Sequence, residues 1–196
     1  MTETAIPVSG AVEGVTDETI LRVVLSHCNR EASTIYVQGG KSKLIEKLAG
    51  FNSAARYMPW VVLLDLDCDD GCAPTHVQRL LPNPSAQMTL RVAVHQAEAW
   101  LLADRAGLAR YLRVREHLIP DDPDGELNAK QTMVNLARKS SNALVRRDMV
   151  PAERSGRTTG PNYAGRLIEF ATLHWNLGEA CQRSDSLSRC VSAIAA

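Results

Sequence analysis

The sequence is short of the features that mark several common classes of protein. Its 22 Lys and Arg residues balance its 22 Asp and Glu residues, so the formal net charge is +0 and no overall charge favours nucleic acid or an anionic membrane. No apolar run approaches the roughly 18 residues of a membrane span, and Met1-Thr2-Glu3-Thr4 lacks the basic and apolar regions of a signal peptide. These absences predict a globular chain without a membrane partner, in which any basic surface is local.

Cysteine and histidine are too few and too scattered to indicate their usual chemistries. The five cysteines are odd in number and irregularly spaced, which favours reduced thiols and a cytoplasmic location over a disulfide framework. Cys68 and Cys72 are not followed by a second cysteine pair, so the spacing of a structural zinc site is incomplete. No Ser-His-Asp or Cys-His constellation is evident among the five histidines.

Strand-like and helix-like segments alternate over about the first 112 residues. Apolar and β-branched runs predict strands at 5–12, 33–38, 60–64 and 88–94. Apolar residues at helical spacing predict helices between these strands, the first starting at Thr16 as the capping hydroxyl and the second ending near Gly50. Such alternation predicts an α/β fold in which helices flank a small parallel sheet.

The alternation stops in the second half of the chain. Residues 113–126 are polar and predict a surface loop, and residues 127–147 predict a helical segment. A loop at 148–162 and two further helices within 163–194 follow. This organisation predicts an α/β domain over 1–112 and a helical extension over 113–196 packed on it, with one continuous domain as the alternative.

Acidic residues follow several of the predicted strands. Asp65 and Asp67 come directly after the buried run at 60–64, and their spacing of two places both on one side of an extended chain. Glu13 ends the first strand, and Glu98 follows the fourth, where it either joins the site or stabilises the first turn of a helix. Asp69 extends the cluster. Open parallel sheets bind ligands outside the carboxyl ends of their strands, so these residues predict a site for Mg²⁺ or Mn²⁺.

Two of these segments resemble the signature of the Toprim family, the catalytic domain of bacterial primases, type IA topoisomerases and several nucleases. Val12-Glu13-Gly14 is similar to its strand that ends in glutamate and glycine, and Leu64-Asp65-Leu66-Asp67 is similar to its later Asp-x-Asp strand. The resemblance covers roughly residues 5–100. It implies a Toprim-like α/β fold, Glu13 as the general acid or base, and Asp65 with Asp67 as metal ligands.

The whole chain further resembles stand-alone bacterial Toprim-like proteins found beside ATPases in phage-defence loci. The features that carry this resemblance are Gly39-Gly40-Lys41, the segment Glu98-Ala99-Trp100-Leu101-Leu102-Ala103-Asp104, and Gly160-Pro161-Asn162-Tyr163. The resemblance implies a metal-dependent nuclease that acts on DNA or RNA, with a partner ATPase.

Two basic positions are candidates for holding the phosphates of such a substrate. Lys41 follows two glycines at a predicted helix start, where backbone N–H groups can bind an anion. Arg157 lies in the Arg-rich loop, which we expect to fold over the edge of the sheet.

Two alternatives to a nuclease stay open at the level of sequence. Asp65-Leu66-Asp67 also fits a haloacid-dehalogenase-like phosphatase, in which the first aspartate is the nucleophile, although Asp69 replaces the residue usual two places later and Glu13 is left without a role. The other alternative is a non-catalytic Toprim-fold regulator that binds a partner ATPase through an apolar face of its C-terminal helices.

Overall fold

A four-stranded parallel sheet forms the centre of the computed structural model, which describes residues 6–66 and 71–196. The sheet has the order β2-β1-β3-β4. Its strands are β1 (Ile6–Val12), β2 (Arg30–Val37), β3 (Trp60–Asp65) and β4 (Met88–Ala93). The predicted α/β class and parallel sheet are therefore confirmed.

Helices cover both faces of this sheet and form most of the second half of the chain. Those of the first half are α1 (Val15–His27), α2 (Lys41–Glu46), α3 (Leu48–Ala54), α4 (Ala73–Leu80), α5 (Glu98–Ala103) and α6 (Arg105–Leu112). Those of the second half are α7 (Ala129–Arg138), α8 (Ala143–Met149), α9 (Tyr163–Leu173), α10 (Leu177–Cys181) and α11 (Asp185–Ala195). Each helix in the described ranges is too short or too polar to cross a membrane.

The first helix starts differently from the sequence prediction. Gly14, not Thr16, is its N-cap, and the side chain of Asp17 accepts a hydrogen bond from the Gly14 N–H at 2.9 Å. The carboxylate thus reaches back to the cap from the third helical position, as in a capping box. The acidic side chain, and not the hydroxyl, fixes this end of α1.

Several boundaries in the rest of the chain also differ. The predicted second helix breaks at Lys47 into α2 and α3, and Gly50 lies inside α3 instead of ending it. The space around this glycine is open. The segment 127–147 contains the helix α7 and part of α8, and 163–194 contains three helices where two are predicted. The segment 113–126 is only partly a surface loop, because it includes a 3-10 turn at Glu116–Leu118 followed by the buried Ile119.

The two faces of the sheet build two apolar cores. The α1 face carries Val8, Val12, Val61 and Leu63, which pack with α1 and with the helices of the second half. The opposite face carries Ala11, Trp60, Val62, Leu64 and Leu90, which pack with α2, α3 and α4. Because the first core also includes residues of α7, α9 and α11, the helical extension shares its interior with the sheet.

The apolar side chains of the C-terminal helices belong to this shared interior. Leu167, Phe170, Trp175 and Leu177 are buried, and Leu173 is exposed. Burial of four of these five side chains gives them a role in packing, and so they do not form a continuous apolar face for a partner.

Gly10 permits the close approach of α1 to the middle of the sheet. A Cβ atom at this position would lie 2.9 Å from Leu21 Cδ2 and 3.1 Å from the carbonyl oxygen of Val61. The packing of β1 between α1 and β3 therefore requires a residue without a side chain at this position.

We expect Gly10→Val to lower the free energy of unfolding by about 1–3 kcal/mol, because the added methyl groups overpack a filled interior. Gly50→Ala is the matched control: it lies in a helix with open space around it and should gain about 0.5–1 kcal/mol. Urea denaturation followed by far-UV circular dichroism measures both. A Gly10→Val protein as stable as wild type would contradict this account of the core.

Candidate functional site

The strand order places a crevice at the carboxyl ends of β1 and β3. From β1 the chain first adds β2 on one side and then crosses to add β3 on the other, so the connections leave these two neighbouring strands in opposite directions. Open parallel sheets bind ligands at such a switch point. Glu13 directly follows β1 and Asp65 is the last residue of β3, so both lie at the crevice.

A hydrogen bond joins these two predicted residues. The backbone N–H of Asp65 donates to Oε1 of Glu13 at 2.9 Å, and the N–H of Ala97 donates to Oδ1 of Asp65 at 2.8 Å. Backbone groups thus hold both carboxylates in place. The structure brings Glu13 and Asp65 together as the sequence predicts, whereas Asp67 and Asp69 lie outside the described residues.

The crevice is an open cleft of about 470 Å³ whose lining includes several charged side chains. Two more acidic side chains, one ammonium group and one phenol face it, from α1, α5, α7 and α9. These residues are Asp17, Glu98, Lys130 and Tyr163. The cleft therefore combines the strand ends of the α/β part with two helices from the second half of the chain.

The carboxyl group of Asp17 is held in an environment that disfavours its charge. Burial raises its pKa to about 6, against the hydrogen bond from Gly14, and the nearby Glu98 and Glu13 raise it further. Asp65 behaves in the same way, because burial raises its pKa well above the ordinary value and Asp17, Glu98 and Glu13 add to the effect. The cleft is thus crowded with negative charge that water does not fully screen.

Glu98 is buried and faces the one ammonium group that lines the cleft within the described residues. Nζ of Lys130 lies 3.6 Å from Oε1 of Glu98, and the hydroxyl of Tyr163 lies 3.5 Å from the same oxygen. The pKa of Lys130 is raised, chiefly by Glu98, while burial and Glu98 raise the pKa of Tyr163. Glu98 therefore belongs to the cleft while also opening α5.

Lys130 occupies a position that its own helix does not favour. It lies in the first turn of α7, where the positive end of the helix dipole repels a cation and no acidic residue is present. Its backbone N–H donates to the side chain of Gln96 at 3.0 Å, which ties the start of α7 to the loop before α5. The carboxylates across the cleft account for a lysine at this point.

The donor set suits a hard cation, although the described residues do not form a complete ligand shell. Mg²⁺ and Mn²⁺ prefer carboxylate oxygens, which Glu13, Asp17, Asp65 and Glu98 supply. Within 6–66 and 71–196, no three His, Cys, Asp or Glu side chains are grouped closely enough to hold a metal ion.

The two candidate phosphate-binding residues lie at the rim of the cleft or beyond it. Nζ of Lys41 donates to the carbonyl oxygen of Leu66 at 2.9 Å. The N–H groups of Gly39 and Gly40 donate to the carbonyl oxygen of Glu13 at 2.9 and 3.2 Å, so they are not available for an anion. Arg157 is exposed, and the two residues after it, Thr158 and Thr159, line the cleft.

Sequence reasoning misses three residues of the cleft. Asp17 directly follows Thr16 at the predicted helix start and is not predicted as a site residue, although its position one turn after Glu13 places it at the same strand end. Tyr163 is noted only within the Gly160-Pro161-Asn162-Tyr163 segment, and nothing in the sequence distinguishes Lys130 from other lysines.

No protein-family model, curated protein or solved structure matches the chain.

We expect the free energy of unfolding to fall as the pH rises through about 6 in the presence of EDTA. The pKa of Asp17 is higher in the folded protein than its ordinary value of 3.8, so the stabilisation is complete below 3.8 and is lost above about 6. About two pKa units correspond to a loss of about 3 kcal/mol.

Asp17→Asn should reduce this dependence, because asparagine keeps the cap oxygen and carries no charge. Urea denaturation at a series of pH values between 4 and 8 measures the effect, and Asp185→Asn, on an exposed helix end, is the control. If the free energy of unfolding depends on pH equally in Asp17→Asn and wild type, the pKa of Asp17 is not raised in the folded protein.

Proposed function

We propose that the chain is a metal-dependent phosphoryl-transfer enzyme, a Toprim-type nuclease that hydrolyses phosphodiester bonds of nucleic acid. The observation that carries the proposal is the contact of Glu13 with Asp65 at the carboxyl ends of neighbouring parallel strands. These are the described members of the motif that resembles the Toprim signature. The same resemblance adds a partner ATPase and a role in phage defence to the proposal.

Mg²⁺ or Mn²⁺ is the proposed cofactor, with ligands drawn from the predicted set Glu13, Asp65, Asp67, Asp69 and Glu98. Four carboxyl side chains line the cleft against one ammonium group within the described residues, and this composition supports the choice. A bound cation would neutralise charge on the scissile phosphate and lower the pKa of an attacking water.

The side chains of the cleft have distinct tasks in this proposal. Glu13 takes the proton of the attacking water or supplies one to the leaving oxygen, with the Asp65 N–H fixing its orientation. Lys130 is partly exposed, so its ammonium group can contact a phosphate oxygen as well as Glu98. Tyr163 offers a protonated hydroxyl next to the same carboxylate.

The proposal predicts cation-dependent cleavage that fails when either strand-end carboxylate is neutralised. Glu13→Gln should lower the cleavage rate about 10²- to 10⁴-fold, the usual contribution of a general acid or base. Plasmid DNA, single-stranded DNA and RNA are incubated with Mg²⁺ or Mn²⁺, and the rate is compared with Asp65→Asn. Glu153→Gln, an exposed acidic residue outside the cleft, is the control and should cut at the wild-type rate.

If none of these substrates is cut, calorimetry of cation binding shows whether the proposal is wrong or the true substrate was not among those tested. Wild type should bind Mn²⁺ with a measurable heat that Asp65→Asn reduces, whether or not the substrate is correct. Absence of both cleavage and binding heat would overturn the enzyme assignment. A phosphorylated Asp65 trapped with a small phosphomonoester would indicate a phosphatase instead.

A further inference from the structure

An aromatic side chain is exposed on the edge strand next to the cleft. Tyr36 is the penultimate residue of β2, and it is 46% exposed. Its ring lies nearly parallel to that of the buried Trp60, with centroids 5.8 Å apart and planes 9° apart, and Phe51 packs against both. Packing therefore fixes the orientation of a ring that solvent can reach.

The chain runs directly from this ring to the cleft. Gly39, three residues after Tyr36, lines the cleft, and its N–H is bonded to the Glu13 carbonyl oxygen. Three residues of extended chain span no more than about 11 Å. The backbone of Tyr36 therefore lies within about 11 Å of that of Gly39 at the cleft, and its ring packs toward Trp60 at the start of β3.

Two lysines flank this stretch of chain. Nζ of Lys43 lies 3.9 Å from the position of a Cβ atom built on Gly39, and Nζ of Lys47 donates to the side chain of Gln38 at 2.7 Å. Both lysines are exposed, and no carboxylate of the described residues forms an ion pair with either. Cationic groups therefore accompany the path from the cleft to the aromatic ring.

We propose that this path, the β2 track (Tyr36, Gln38, Gly39, Lys43 and Lys47), binds single-stranded nucleic acid as it leaves the cleft. A base stacks on the Tyr36 ring, and the adjoining phosphates lie beside Lys43 and Lys47. Stacking on an aromatic ring together with backbone cations is how proteins hold single strands without reading sequence. The bases of a duplex are already stacked and paired, so the track selects single strands. The choice of nucleic acid as ligand rests on the proposed function.

The test measures binding without cleavage. Fluorescence anisotropy in EDTA gives the affinity of the full chain for labelled oligo-dT, oligo-U and a duplex of the same length. Tyr36→Ala should weaken binding of the single strands about 5- to 150-fold, the effect of removing the stacking partner of one base. Tyr36→Phe should retain the wild-type affinity, and the two homopolymers distinguish DNA from RNA.

Tyr57→Ala is the matched control, because Tyr57 is 86% exposed and its ring packs against none of Tyr36, Phe51 and Trp60. It should bind as wild type. Replacing Lys43 and Lys47 by glutamine should reduce the slope of log affinity against log salt by about 0.7 for each phosphate that a lysine no longer neutralises. Thermal unfolding of each variant identifies any weakening that comes from misfolding, and Tyr36→Leu then replaces Tyr36→Ala.

Wild-type affinity of a folded Tyr36→Ala protein, an equal weakening in Tyr57→Ala, or tighter binding of the duplex would each overturn the β2 track. Cleavage by wild type combined with any of these results leaves the nuclease proposal intact. Conversely, Tyr36-dependent binding by a protein that neither cuts nor binds Mn²⁺ would retain the track and remove the catalytic assignment.

Discussion

The parallel pairing of β1 with β3 creates a local excess of negative charge that the neighbouring elements must accommodate. Pairing brings Glu13 and Asp65 into contact, and α1 and α5 add Asp17 and Glu98. Like charges removed from water raise one another's pKa, which is the opposite of what stabilises a fold. The backbone N–H groups of Gly14, Asp65 and Ala97 offset part of this cost, and the ammonium group of Lys130 contributes beside Glu98. A cluster that destabilises the protein is expected where chemistry, and not packing, determines the residues.

The sequence predicts the strand ends well because their signal is local. The continuous apolar run of β3 ends at Asp65, and a glutamate followed by glycine ends β1. The parallel arrangement then follows from alternation with helices, which places both residues at one edge. Helix boundaries are less predictable, because Lys47 interrupts a helix that Gly50 does not end. Such breaks depend on how each helix packs against the rest of the fold, and a short stretch of sequence carries no information about that packing.

The parts of the cleft that come from the second half of the chain are not predictable in the same way. Lys130 and Tyr163 reach Glu98 through contacts that span 32 and 65 residues of sequence. Nothing in the residues around Lys130 shows that α7 will start beside the β4–α5 loop. Gly39 and Gly40, after β2, show the opposite case. Their spacing before Lys41 is typical of an anion site, but their N–H groups donate to the Glu13 carbonyl oxygen. A local motif specifies which hydrogen-bonding groups are present but does not specify the partner to which they bind.

Contributions from both halves of the chain also determine when the cleft is complete during synthesis. A ribosome-bound chain that has exposed the sheet and α5 already carries Glu13, Asp17, Asp65 and Glu98. Neither the ammonium group of Lys130 nor the hydroxyl of Tyr163 is yet available to them. The nascent cleft therefore has its acidic groups without their counter-ion, and its final electrostatic balance is reached only after translation has passed residue 163.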